Sequence, residues 1–247
     1  MSAISNEHTE VNEQLAGELL REISSLTPVE GMRLLSERFR GQSVFSTSFG
    51  MEDQVITDMI AGEGISVSIF TLDTGRMFPE TYAVWSATME KYRLPIVAHV
   101  PDSALLGAFV TAHGPNGFYE SVDLRKACCH ARKVVPLRQA LAGQRLWITG
   151  IRGGQSAGRD RMDMIEWDEA NGIIKYHPLL TWSVGEVREY IATNNVPYNV
   201  LHDRGFPSIG CAPCTRAVKE GEDLRSGRWW WEENDKKECG LHAHVKS

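Results

Sequence analysis

Five cysteines divide into two pairs and a single: Cys128 beside Cys129, Cys211 and Cys214 in a Cys-x-x-Cys, and Cys239 alone near the C-terminus. Thiolates at the four paired positions supply the full coordination of an iron-sulfur cluster or of a structural zinc, and the spacing leaves both open. The lone thiol, in Glu238-Cys239-Gly240-Leu241-His242, stands outside that set and is a candidate nucleophile. His242 follows it by three residues, an offset that permits contact with the thiolate if the segment closes as a helical turn. Side chains of adjacent cysteines diverge along a helix or strand, so Cys128 and Cys129 are poorly placed to bridge each other.

Chemistry at a thiolate needs cations nearby, both to lower its pKa and to balance an anionic substrate. Lys133, Arg225, Arg228 and His242 are the candidates. Lys133 lies four residues after Cys129 on an expected helix and shares a face with a metal ligand. Arg225 and Arg228 stand three apart, ahead of Trp229-Trp230-Trp231. The blander alternatives are a solvated lysine, surface arginines and core or interface tryptophans. Arg152, Arg159 and Arg161 add to a basic set gathered around the cysteines and the central motifs, as a compact polyanion requires.

Two strand-to-helix junctions offer an anion site. In Ser46-Thr47-Ser48-Phe49-Gly50-Met51-Glu52-Asp53, hydroxyls, a glycine and a helix N-terminus make a cradle of backbone N–H groups around Thr47, Ser48, Phe49 and Gly50. It lacks the Gly-Lys-Ser/Thr ending of a Walker A loop, and an ordinary capped turn accounts for it equally well. Leu72-Asp73-Thr74-Gly75 follows a second strand, where Asp73 is either a turn residue or part of a nucleotide site at a neighbouring strand end.

The elements that must position these residues alternate. Thr27-Pro28-Val29-Glu30 reads as a capped helix start, and so does Ser183-Val184-Gly185-Glu186. Apolar runs predict strands at Ser43–Ser46, Ser66–Leu72, Pro95–Val100 and Leu146–Gly150, with Ile173–His177 before the last helix start. Helices are expected from about Glu52, over Pro79–Tyr92 and over Leu124–Leu141. This order predicts a doubly wound, mostly parallel α/β sheet with ligands at the C-terminal strand ends. From Val196 to Ser247 the pattern is irregular and reads as a cluster and mobile tail region of one domain spanning 1–247. Glu232, Glu233 and Asp235 read as a solvated linker before the tail.

With 247 residues and 42% hydrophobic content the chain can bury a large core without disulfides. No signal peptide and no membrane-length apolar run is present, so a cytoplasmic enzyme with reduced cysteines is expected. The net charge of -6 disfavours a nucleic-acid or membrane partner. His130, His177 and His202 are isolated, and without an His-Glu-x-x-His pair a zinc hydrolase is not indicated.

Taken together the motifs resemble the adenylylsulfate (APS) and phosphoadenylylsulfate (PAPS) reductases, relatives of the adenine-nucleotide alpha-hydrolase-like PP-loop ATP pyrophosphatases. The 46–53 segment is similar to their modified PP-loop and 72–75 to their LDTG segment. Lys126-Ala127-Cys128-Cys129-His130-Ala131-Arg132-Lys133 resembles their paired-cysteine helix, and Thr149-Gly150-Ile151-Arg152-Gly153-Gly154-Gln155-Ser156 their sulfonucleotide loop. Gly210-Cys211-Ala212-Pro213-Cys214-Thr215-Arg216 resembles their second cysteine pair, and 238–242 the ECGLH signature. The resemblance implies one 4Fe-4S cluster on Cys128, Cys129, Cys211 and Cys214, with Cys239 and His242 catalytic. It also implies a nucleotide site drawing on Leu72, Asp73, Gly75, Lys133, Gly150, Arg152, Arg159, Arg161, Arg225 and Arg228 besides the loop at Thr47–Gly50. Thioredoxin-dependent reduction of APS in sulfate assimilation is the implied activity, and a homo-oligomer is compatible with it. A PAPS or dual-substrate reductase, a PP-loop ATP pyrophosphatase and a metal-binding interaction module are the alternatives.

Overall fold

Central strands of a parallel sheet are covered on both faces and read as continuous apolar runs. Ser43–Ser46 (β1), Leu146–Ile148 (β4) and Ile173–Tyr176 (β6) are such strands, buried along nearly their whole length. The computed structural model describes residues 2–155 and 162–232, with side chains from Glu10 onward. Its six strands lie in the order β3-β2-β1-β4-β6-β5, where β2 is Ser68–Leu72, β3 Ile96–His99 and β5 Ile165–Asp168. All neighbours are parallel except β5, which runs antiparallel to β6 at the edge.

Helices cover both faces. Ser2–Ile23 (α1), Pro28–Arg38 (α2), Met51–Gly62 (α3) and Val184–Thr193 (α8) contribute to the larger core around Phe45, Ile148 and Tyr176. On the opposite face Val135–Leu141 (α7) packs Leu137 and Leu141 with Val44, Phe70 and Trp147. Pro79–Tyr92 (α4) joins β2 to β3, and Ser103–His113 (α5) with Val122–Cys129 (α6) leads towards β4. The two expected capping boxes form: Thr27 with Glu30 and Ser183 with Glu186 each satisfy a pair of orphan helix donors. Gly31 is required where it stands, since a Cβ there would overlap the Tyr176 hydroxyl.

Three features depart from the sequence expectation. The helix expected over Leu124–Leu141 is interrupted: residues His130–Val134 form a π-helical turn between α6 and α7. Strand β5 and helix α5 were not expected. β5 carries only four residues, and its Asp168 pairs at 2.6 Å with Lys175 of β6, a buried ion pair that hides the strand's apolar pattern.

Because the chain passes from β1 outwards to β2 and β3 and returns to β4 on the other side of β1, the sheet has a switch point between β1 and β4. Open α/β sheets bind ligands in the crevice this opens at the strand C-termini.

Candidate active site

A cleft of about 760 Å³ occupies that crevice. The β1–α3 loop supplies Thr47, Ser48 and Gly50; the end of β2 supplies Leu72; the segment after β4 supplies Gly150 and Arg152. Lys133 enters from the π-turn, and Arg225 and Arg228 from the C-terminal part. The structure therefore gathers nine of the sequence candidates around one volume.

The loop is shaped by Phe49, whose φ of 61° turns the backbone while its fully buried ring stacks on Trp85 at 5.3 Å. Phe49 thus serves the core and does not line the cleft. The cradle already holds an anion from the chain itself. Asp53, in the first turn of α3, accepts hydrogen bonds from Ser48 N at 2.6 Å and Ser48 Oγ at 2.7 Å. Burial pushes its carboxyl up to about 6 despite these bonds. Gly150 is glycine because a Cβ there would overlap Asp53 Oδ1.

Asp73 and Gly75 also lie off the cleft lining. Asp73 Oδ1 accepts from Gly75 N at 2.9 Å and from the Tyr82 hydroxyl at 2.7 Å, making a local turn in which Gly75 has φ 68°. Thr74 between them lines the cleft and meets Cys211 Sγ at 3.3 Å, joining the LDTG segment to the cysteines.

Cys128, Cys129, Cys211 and Cys214 line one buried pocket beside the cleft, together with Arg125, Arg132, Lys133 and Trp229. All four are free thiols. Burial pushes Cys214 up to about 12, with Cys211 adding to the effect and Lys133 and Arg228 opposing it. Cys128 is raised by burial and opposed by Arg132. Four thiolates in such a pocket need positive charge beyond what the side chains bring, as a metal centre provides. Among the described residues no three His, Cys, Asp or Glu side chains are grouped as a single bound metal ion needs.

Lys133 lines both the cleft and the cysteine pocket. The π-turn that carries it adds a residue between the paired cysteines and α7, a device often found at functional sites.

Sequence reasoning missed Glu52 and His202. Glu52 Oε1 lies 3.1 Å from Arg152 Nε, both side chains nearly buried. His202, 8% exposed, lines the cleft near Glu52, and burial lowers its pKa. Nothing in the spacing distinguishes these groups from solvated ones; only the switch point turns them inwards. The expected linker residue Glu232 is a correction: its side chain is 3% exposed and bound to Arg125, because a carboxylate beside a buried guanidinium is better paired than hydrated. Arg159, Arg161, Glu233, Asp235, Cys239 and His242 lie outside the described residues. No helix among the described residues is long and apolar enough to cross a membrane.

The phosphoadenosine phosphosulfate reductase domain family matches residues 42–217. Among similar proteins, the adenosine 5'-phosphosulfate reductase of Agrobacterium fabrum is 48% identical over 203 residues, 82% of this chain and 78% of that protein. The enzyme of that name from Allochromatium vinosum is 50% identical over 199 residues, 81% of this chain and 78% of the other. A solved phosphoadenylyl-sulfate reductase from Candida auris, in a phosphate complex, is 29% identical with a TM-score of 0.70, covering 82% of this chain and 96% of that one. Yeast FAD synthetase, at 17% identity and a TM-score of 0.51 over 85% of this chain and 75% of that one, shares the fold.

Proposed function

The chain belongs to the phosphoadenosine phosphosulfate reductase family, and from that premise we propose that it reduces adenylylsulfate to sulfite and AMP in sulfate assimilation. Cys239 is the nucleophile, thioredoxin the reductant and the cytoplasm the compartment. The observation that carries this reading is Lys133, which faces the nucleotide cleft on one side and the four-cysteine pocket on the other.

The thiolate of Cys239 attacks the sulfonyl sulfur of adenylylsulfate. A sulfur–sulfur bond forms, the sulfur–oxygen bond to the α-phosphate breaks, and AMP leaves, so the sulfo group stays on Cys239 as S-sulfocysteine. A thioredoxin thiolate then attacks the Cys239 sulfur and expels sulfite. The second thioredoxin thiol resolves the mixed disulfide, returning the Cys239 thiol and oxidised thioredoxin. Two electrons thus pass from the dithiol to sulfur. Lys133, Arg225 and Arg228 hold the sulfate and phosphate charge while it redistributes, with Arg159 or Arg161 adding to the anion-binding set and His242 assisting the thiolate.

Cys128, Cys129, Cys211 and Cys214 would hold one 4Fe-4S cluster. Four cysteine side chains lining one pocket supply the number of thiolates that such a cluster takes. When bound, the cluster supplies a charged core that ties α6 to the Cys211–Cys214 turn beside Lys133. Leu72 and the Thr47–Gly50 loop frame the nucleotide.

Reduced thioredoxin and adenylylsulfate should yield equal amounts of sulfite and AMP, and Cys239→Ser should yield neither while still binding AMP. Sulfite release by Cys239→Ser would overturn the assignment.

A further inference from the structure

Residues 227–232 form a strap that ties together three places: the substrate cleft, the cysteine pocket and the start of the C-terminal segment. At one end Arg228 lines the cleft, its Nη1 directed at Ser208 Oγ and Ile209 O at 3.3 and 3.4 Å. In the middle Trp229 is fully buried against the cysteines, its backbone N–H donating to Cys214 O at 3.1 Å. Two guanidinium groups approach its ring, with Arg125 Cζ 4.6 Å and Arg228 Cζ 4.9 Å from its centroid. At the far end Glu232 accepts from Arg125 through both oxygens, Nε to Oε1 at 2.9 Å and Nη2 to Oε2 at 2.7 Å. The side chains are 1% and 3% exposed.

Arg125 stands on α6 three residues before Cys128, one helical turn away and on the same side. Glu232 stands seven residues before Cys239, so a chain rooted there reaches at most about 24 Å. A bidentate, desolvated ion pair fixes both separation and angle, as a solvated linker cannot.

We propose that Arg125 is a positioning residue for the reaction: through Glu232 and Trp229 it bolts the root of the Cys239 segment and the anion-binding Arg228 to the helix that carries Cys128 and Cys129. The root of that segment, at Glu232, and the cation that receives the sulfate are thereby referenced to one helix. Arg125 lines the cysteine pocket and is not among the residues lining the cleft. This inference rests on Cys239 being the nucleophile.

The test uses the full chain, purified anaerobically with its metal, in two forms: Glu232→Gln, and the paired Arg125→Met with Glu232→Leu. Removing both charges together avoids leaving a buried charge unpaired. Three quantities are read: iron and sulfide content, AMP affinity by calorimetry, and the single-turnover rate of sulfo-adduct formation on Cys239 from adenylylsulfate without thioredoxin. Both forms should keep the metal and bind AMP within about twofold of wild type, while adduct formation slows by on the order of tenfold or more. An unchanged adduct rate overturns the proposal, and so does loss of the metal in the paired variant, which would make the bolt a support of the cysteine pocket alone. A wild-type chain that forms no adduct on Cys239 removes the nucleophile assignment and this inference with it.

Discussion

Arg152 and Glu52 pair at 3.1 Å in the lining of the cleft, each side chain about nine-tenths buried. The guanidinium is therefore already matched, and Asp53 brings a second carboxylate to the same end. Among the described residues a 3'-phosphate entering there would meet two carboxylates and an arginine already paired, and burying it would be costly. Glu52→Gln leaves Arg152 for the ligand, so the kcat/KM of PAPS relative to adenylylsulfate should rise on the order of tenfold. A ratio unchanged by the substitution would show that discrimination lies elsewhere.

Lys133 should act on the sulfate more than on the nucleotide. Lys133→Met keeps most of the stem and removes the charge between cleft and cysteine pocket. Adduct formation on Cys239 should fall on the order of a hundredfold, the scale of losing one preorganised charge, with AMP affinity changed only a few-fold. Equal losses in both would make Lys133 a general nucleotide contact.

Asp53 gives a pH dependence of stability. Its carboxyl is raised from 3.8 to about 6 by burial, so the native chain binds a proton that the unfolded chain has lost. This contribution is fully present below the unfolded pKa and disappears as pH rises through about 6. Relative to Asp53→Asn, wild-type unfolding free energy should fall by the greater part of about 3 kcal/mol between pH 4 and pH 7. Denaturant titrations across that range measure it, and parallel curves for the two proteins would contradict the assignment.

Metal content separates the paired cysteines from the single one. The anaerobically purified chain should hold about four irons with matching sulfide. Serine at Cys128, Cys129, Cys211 or Cys214 should remove them, and Cys239→Ser should not. Stoichiometric zinc without sulfide would contradict this.

Much of this arrangement was legible in the residues because strand ends carry their own signals. The runs at Ser43–Ser46 and Leu146–Gly150 announced β1 and β4, and their following loops announced the cleft. The cysteine groups announced the pocket. What stayed hidden depends on distant neighbours. A π-turn differs from continuous helix by one residue of closure, so nothing in His130–Val134 marks it. Asp73 satisfies Gly75 and Tyr82, and not the cleft, because α4 brings the Tyr82 hydroxyl within 2.7 Å. Glu232 reads as part of an acidic linker until Arg125, more than a hundred residues earlier, is placed against it.

The most direct test of the whole account is the ratio of kcat/KM for sulfite release from adenylylsulfate and from PAPS, measured with the same reduced thioredoxin. A clear preference for adenylylsulfate is predicted, since the buried cation at the Glu52 end of the cleft is already paired. Equal or greater efficiency on PAPS would contradict that prediction and would mean that a basic group receives the 3'-phosphate.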